Sequence, residues 1–269
     1  MSSPGVAIVT GAARGLGSEV ARALALDGWR LMLVDSCADN PAIPYPLAQE
    51  RDLEETASAC RAVAAHTSDI ETGMADVRLQ DQVDAAVQRA VESFGGLDAA
   101  VAAAGVIAGG SPGWHTSDEM WRAILDVDLT GVWRLARASI PALLSRNEPR
   151  HGRFIAIASA AGIRGFPMLA AYTAAKHGVI GLVRSLSAEL GETGVTANAV
   201  CPGSMDTAML AASAQIYGLD NVQEFARYHA SKRLLQPAEV AALVAWLCSA
   251  ASGGMSGTAI PVDSGMTAV

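Results

Sequence analysis

Thr10-Gly11-Ala12-Ala13-Arg14-Gly15-Leu16-Gly17 decides the fold of this 269-residue chain. The apolar run Val6-Ala7-Ile8-Val9 precedes it and an amphipathic stretch follows, so its glycines sit where a strand turns tightly into a helix. Glycine lets the backbone approach a pyrophosphate there, and the helix N-terminus favours that negative charge. An ordinary glycine-rich turn between strand and helix reads the same way, so the residues around the motif must separate the two.

Outward from this turn, short aliphatic runs alternate with longer stretches whose apolar residues recur every three or four positions. The pattern predicts strands over 6–10, 30–35, around 69–74, 97–103, 152–158, 195–201 and 259–262, and helices over 15–27, 53–64, 80–94, 117–144, 170–190 and 238–248. Thr116 and Glu119 have the spacing of a capping box ahead of the fourth helix. Strict strand-helix alternation implies a single α/β domain over 1–269, a doubly wound, Rossmann-type sheet of about seven parallel strands with helices on both faces. Two connections are long enough to suggest a functional role, 36–52, which carries Pro41, Pro44 and Pro46, and 204–236. Both follow strands, at the edge where open α/β sheets bind ligands.

Composition narrows the ligand. The chain is 51% hydrophobic with a formal charge of −8 and no run of Lys or Arg, which argues against nucleic acid or an anionic membrane surface as the main partner. Cys37, Cys60, Cys201 and Cys248 form no CxxC pair, and no long charge-free segment or N-terminal leader is evident. A soluble, cytoplasmic protein in a reducing compartment is the expectation. His66, His115, His151, His177 and His229 lack metal-ligand spacing, so no metal is assigned. Trp114, Trp121, Trp133 and Trp246 read as core or subunit contacts, His177 as a packing or surface residue, and Cys201 as a small buried hydrophobe.

The second predicted strand ends in Asp35, about twenty residues beyond the glycines, where a carboxylate can accept hydrogen bonds from adenosine ribose hydroxyls. It would repel a 2′-phosphate, and Ser36 offers no compensating cation, so NAD is favoured over NADP; Arg14 is the residue able to soften that preference. Asp76-Val77 could place a carboxylate on an adenine amino group, although an isolated Asp at a strand end is more often a helix cap. Ala104-Gly105 ends the fourth strand with side chains too small to obstruct the ribose; close strand-to-helix packing would give the same residues.

Tyr172 and Lys176 lie four apart in a helical stretch, hence on one face about one turn from each other. An ammonium beside a phenol lowers its pKa from about 10 and suits it to proton transfer. Ser159, closing the fifth predicted strand, is placed to orient a substrate oxygen. The pair alone is weak; its weight comes from sharing a chain with Ser159, the glycine turn and Asp35.

Together these residues resemble the classical short-chain dehydrogenase/reductase family over essentially the whole chain. Its TGxxxGxG pattern matches Thr10 to Gly17, its Ser, Tyr and Lys match Ser159, Tyr172 and Lys176, and its Pro-Gly turn matches Pro202-Gly203. The resemblance implies cofactor contacts from Gly11, Arg14, Gly15, Leu16, Gly17, Asp35, Asp76, Val77, Ala104, Gly105, Tyr172, Lys176, Pro202 and Gly203. It also implies a mobile substrate lid at 204–236, with Ser204, Met205 and Thr207 near the nicotinamide carboxamide, and a homotetramer packed through long helices and the last strand. Apolar lid residues Met205, Met209 and Leu210 suit a small hydrophobic alcohol or ketone.

Two departures stand out. Asp128-Leu129-Thr130-Gly131 carries Asp where the family usually has an Asn that helps hold a water linking the lysine to solvent, so Asp128 is a candidate catalytic residue whose backbone carbonyl can still bind that water but whose side chain donates no amide hydrogen bond and, if ionised, can pair with Lys176. Ala102-Ala103-Ala104-Gly105 replaces Asn-Asn-Ala-Gly. The segment from Val34 to Asn40, with Pro44-Tyr45-Pro46-Leu47-Ala48, looks like the extra loop of the mycofactocin-associated, carveol dehydrogenase-like subgroup. That likeness implies a tightly held NAD, re-oxidised in place by a peptide-derived redox carrier; a plain surface insertion is the alternative. The expected activity is NAD-dependent interconversion of a secondary alcohol and a ketone. NADPH-dependent carbonyl reduction and a nucleotide-binding sensor without turnover are the rival readings.

Overall fold

A computed structural model describes residues 5–268. Its seven strands are β1 (Val6–Thr10), β2 (Arg30–Asp35), β3 (Ile70–Met74), β4 (Ala99–Ala102), β5 (Arg153–Ile157), β6 (Thr196–Pro202) and β7 (Ala259–Val262). They form one parallel sheet in the order β3-β2-β1-β4-β5-β6-β7. Chain order reverses direction between β1 and β4, which opens a crevice at their carboxyl ends. Residues 1–4, on which the expectation of no leader partly rests, and residue 269 lie outside the described residues.

Alternate residues of each strand feed two cores, as the pleat requires. Val6, Ile8, Met32 and Val34 pack on the face covered by α3 (Gln80–Phe94), α5 (Gly131–Leu144) and α6 (Ala170–Leu190). Ala7, Val9, Leu31 and Leu33 pack on the other, beneath α1 (Gly15–Leu26), α2 (Glu50–Arg61) and α8 (Pro237–Cys248). Both faces being buried explains why the strands read as continuous apolar runs.

The single helix expected over 117–144 is three pieces: α4 (Asp118–Leu125), a π-helical turn at Asp126–Thr130, and α5. The capping-box expectation also fails. Ser117, one residue on, caps α4 by accepting from the Met120 N–H at 3.2 Å. Helix α2 starts at Glu50, ahead of the predicted 53, because Gln49 and Asp52 cap each other reciprocally. Of the two readings offered for Trp114, Trp121, Trp133 and Trp246, the core one fails, since Trp114 is 83% exposed and the other three lie between 39% and 43%.

Candidate active site

One cavity of about 790 Å³ runs along the carboxyl edge of the sheet. At its middle, Gly11 turns the chain with φ +70°, and a Cβ there would stand 2.5 Å from the backbone of Ala104. A side chain on Gly17 would strike the Gly11 carbonyl. The turn is therefore packed as tightly as its glycines suggested, with Ala104 and Gly105 as the opposing wall. The α1 N-terminus opens into the same cavity: Arg14 provides no side-chain cap, and the first turn has no acidic residue to occupy its free N–H groups. An uncapped helix start with positive dipole end suits a diphosphate.

Asp35 lines the cavity from the end of β2. Its carboxylate is held by the backbone N–H groups of Ala13 (3.1 Å) and Cys37 (3.3 Å), which fix its orientation and leave lone pairs for further donors. Arg14, weighed as a counterweight to Asp35, donates instead to the Pro46 carbonyl at 2.9 Å. Asp76 lines the cavity, but Arg78 grips it through Nε and Nη2, the closest contact being 2.6 Å. Burial pushes the Asp76 carboxyl up, and its bonds with Arg78 more than offset this, holding it below the usual carboxylate range. Nor is Asp76 a helix cap, because α3 is preceded by Leu79.

Ser159, Tyr172 and Lys176 meet at the other side of the cavity. Ser159 follows β5 and its Oγ accepts from the Ala161 N–H at 3.1 Å. Tyr172 and Lys176 share a face of α6, the Lys176 Nζ lying 5.5 Å from the Tyr172 ring centre. Lys176 Nζ also donates to the Ile157 carbonyl at 3.1 Å and stands 3.6 Å from Asp128 Oδ2. The π-helical turn brings Asp128 inward to this pairing, and its Oδ1 accepts from the Val106 N–H at 2.8 Å.

This quartet corrects the expected electrostatics. Tyr172 was to be made acidic by Lys176; in the protein alone its phenol is pushed above the ordinary value, first by burial and then by the Asp128 carboxylate, with hydrogen bonding by Ser159 acting against both. The ammonium has a buried anion of its own, which cancels much of its field at the phenol. Burial pushes the Asp128 carboxyl up as well, against the pull of Lys176 and the Val106 N–H.

Pro202 ends β6 at the cavity wall and Gly203 follows it, where a Cβ would lie 2.9 Å from the His229 ring. The segment 204–236 closes on itself: Leu235 N–H donates to the Ser204 carbonyl at 3.0 Å, and the Asp206 N–H to the Leu235 carbonyl at 3.2 Å. Between these ends lie α7 (Ala208–Ile216) and a 3₁₀ helix, Val222–Tyr228. Thr207 caps α7 by accepting from the Leu210 N–H at 3.3 Å, while Met205, Thr207, Met209 and Leu210 line the cavity. Sequence reasoning assigned no role to His229, which is buried and accepts from the Ser204 N–H at 3.2 Å, anchoring the start of this segment. It also missed Phe166, Tyr217 and Phe225 on the apolar wall; only their spatial convergence marks them.

The insertion is packed, not splayed. Tyr45 accepts from the Ile107 N–H at 3.1 Å, the Leu47 N–H donates to Asp39 Oδ1 at 2.8 Å, and Ile43 is buried. Burial pushes the Tyr45 phenol up to about 12. Among the described residues no group of three or more His, Cys, Asp or Glu is placed to hold a metal ion, the four cysteines are free, and no helix is long and apolar enough to cross a membrane.

A doubly wound sheet with a glycine turn at its crevice defines a dinucleotide-binding α/β protein. Residues 11–267 match the protein-family profile described as enoyl-(acyl carrier protein) reductase. An uncharacterised NAD-dependent oxidoreductase of Mycobacterium tuberculosis is 36% identical, covering 97% of this chain and 94% of the relative. The (−)-trans-carveol dehydrogenase of Rhodococcus erythropolis is 34% identical, with 97% of each chain covered. The crystal structure of carveol dehydrogenase from Mycobacterium avium in complex with NAD superposes with a TM-score of 0.90 at 32% identity, over 98% of both chains. The chain belongs to the short-chain dehydrogenase/reductase family, a family of oxidoreductases.

Proposed function

We propose that this protein uses NAD to interconvert a hydrophobic secondary alcohol and its ketone. The observation that carries the reading is the convergence of Ser159, Tyr172 and Lys176 on the same cavity as the glycine turn and Asp35. The diphosphate goes to the uncapped start of α1, the adenosine ribose to Asp35, and the nicotinamide end to the β4–β6 side, between Gly105 and the Pro202-Gly203 turn. Val77, Leu16, Met205 and Thr207 complete the walls. Bound there, NAD supplies a two-electron acceptor for the hydrogen on the carbinol carbon. Ser159 hydrogen-bonds the substrate oxygen, and Tyr172 takes the hydroxyl proton as the carbonyl forms, returning it in the reverse direction. Lys176 stabilises the phenolate and is placed to reach the nicotinamide ribose. The Met209, Leu210, Phe166 and Phe225 wall favours an apolar substrate, and carveol, named for two relatives, is the first compound to try.

The chain acts as one nucleotide-binding unit, 36–52 serving as cover and 204–236 as lid. Arg14 to Pro46 and Tyr45 to Ile107 clasp the cover across the cavity, so NAD exchanges slowly and a carrier of the mycofactocin type re-oxidises it in place. The enzyme works in the cytoplasm as a homotetramer. Use of NADPH is disfavoured because the Arg14 guanidinium that would meet a 2′-phosphate is turned to Pro46. The Asp128–Lys176 pair favours one rival, a nucleotide sensor with damped turnover. Denaturing the purified protein and taking the mass and absorbance of what it releases tests the central reading. Stoichiometric NAD or NADH supports it, whereas nucleotide-free protein with no affinity for added NAD refutes it.

A further inference from the structure

His229 is fully buried, whereas His66, His115, His151 and His177 are exposed. Its Nε2 accepts from the Ser204 N–H at 3.2 Å, reaching back across 25 positions of chain. A backbone N–H can only donate, so Nε2 is the bare nitrogen and the ring proton sits on Nδ1. Nδ1 is buried beside Asp263 and makes no well-formed hydrogen bond. An imidazole so placed is costlier to bury than an apolar side chain of its size. The one bond it makes well is the bond to Ser204.

That bond lands on the turn by which the chain leaves β6 for the segment 204–236. The Gly203 N–H donates to the Val262 carbonyl at 3.0 Å, and the Ser204 carbonyl accepts from the Leu235 N–H at 3.0 Å, so β7 and the far end of the segment hold two of the turn's polar groups. His229 holds a third, and it alone does so through a side chain. Its ring also fills the space over Gly203, where a Cβ would stand 2.9 Å from Cε1. The ring is itself set in place: the His229 N–H donates to the Ala226 carbonyl at 3.1 Å, and the Ala230 N–H to the Ser264 carbonyl at 2.9 Å.

Pro202, Gly203 and Ser204 line the cavity; His229 stands behind them. Strand order says which half they border: β6 is the neighbour of β5, which leads into Ser159, whereas Asp35 ends β2, beyond the glycine turn at β1. We infer that His229 is a positioning residue, whose neutral imidazole fixes the Pro202-Gly203-Ser204 turn and thereby the wall on which the nicotinamide half of the dinucleotide seats. It acts through the turn and does not touch the ligand. The inference rests on the NAD reading above.

Calorimetric titration of nucleotide-free protein with nicotinamide mononucleotide and, separately, with ADP-ribose tests it. His229→Leu removes the acceptor at similar volume, and His229→Asn carries one too short to reach Ser204. His229→Gln keeps an acceptor oxygen at about the reach of Nε2. The Leu and Asn variants should each bind nicotinamide mononucleotide about tenfold more weakly while ADP-ribose changes less than twofold, and the Gln variant should recover nicotinamide mononucleotide affinity to within about threefold of wild type. Unchanged nicotinamide mononucleotide affinity in either folded variant overturns the inference. So does equal weakening of both ligands, which marks a general distortion, or a Gln variant as impaired as Leu, which removes the bond as the cause. Failure of both Leu and Asn variants to fold would mark a scaffold role and also overturn it. A wild-type protein that binds neither ligand defeats the NAD reading itself, a distinct result.

Discussion

Asp128→Asn is the perturbation with the most to say about catalysis. Asn is isosteric and keeps an oxygen for the Val106 N–H, so the change is chiefly the loss of one buried negative charge. Lys176 Nζ lies 5.5 Å from the Tyr172 ring centre and 3.6 Å from Asp128 Oδ2. The carboxylate oxygen is thus at most about 9 Å from the ring, and at an effective dielectric of about 20 an ionised carboxylate there disfavours the phenolate by about 1.8 kcal/mol. Its removal raises the ionised fraction of Tyr172 roughly twentyfold at any pH below the phenol's pKa. Alcohol oxidation needs the phenolate, so its rate rises with pH, and the rising limb moves to lower pH in the variant. Ketone reduction needs the phenol, so its falling limb moves the same way. The assay is nicotinamide absorbance at about 340 nm from about pH 6 to 10 in both directions with one alcohol–ketone pair. An oxidation limb that stays in place, or moves to higher pH, would refute the claim that Asp128 masks the lysine.

The same substitution has a signature in stability. Because burial raises the Asp128 carboxyl in the folded state, its contribution is fully present below the unfolded value and lost as pH climbs through the folded one. Asp128→Asn should therefore raise Tm more at about pH 8 than at about pH 4 in thermal melts. Tyr172→Phe should lower kcat by about a thousandfold while leaving NAD affinity within severalfold, checked by steady-state rates beside calorimetry. Asp35→Ser should improve NADP affinity relative to NAD by removing the charge that opposes a 2′-phosphate, measured by titrating both nucleotides. Tyr45→Phe abolishes the hydroxyl that accepts from Ile107, a bond of about 1 kcal/mol, and should speed release of bound NAD about fivefold in a competition chase.

Much of the fold was legible because a parallel sheet buried on both faces writes itself as apolar runs, and a glycine turn leaves no room for substitutes. The strands β1, β2 and β7 fall at their predicted bounds. Across 117–144 the reading failed where apolar periodicity continues through the π-helical turn that separates α4 from α5. An extra residue in one turn shifts the phase slightly, and periodicity alone does not register it. The shared helix face of Tyr172 and Lys176 was readable from their spacing, but the raised Tyr172 pKa was not, since it depends on Asp128 arriving from 44 positions upstream. Arg78 beside Asp76 was visible in the chain, and an i,i+2 ion pair was a signal left unused. Tyr45 meets the Ile107 N–H only through where the insertion folds, which no local pattern encodes.

A crystal structure of the protein with NAD is the most direct examination of the mechanism. The nicotinamide ring should lie beside Tyr172 and Ser159 with Lys176 at its ribose, and the adenosine ribose should rest on Asp35. A dinucleotide bound in the reverse sense, or with its nicotinamide away from Tyr172, would contradict the proposed chemistry.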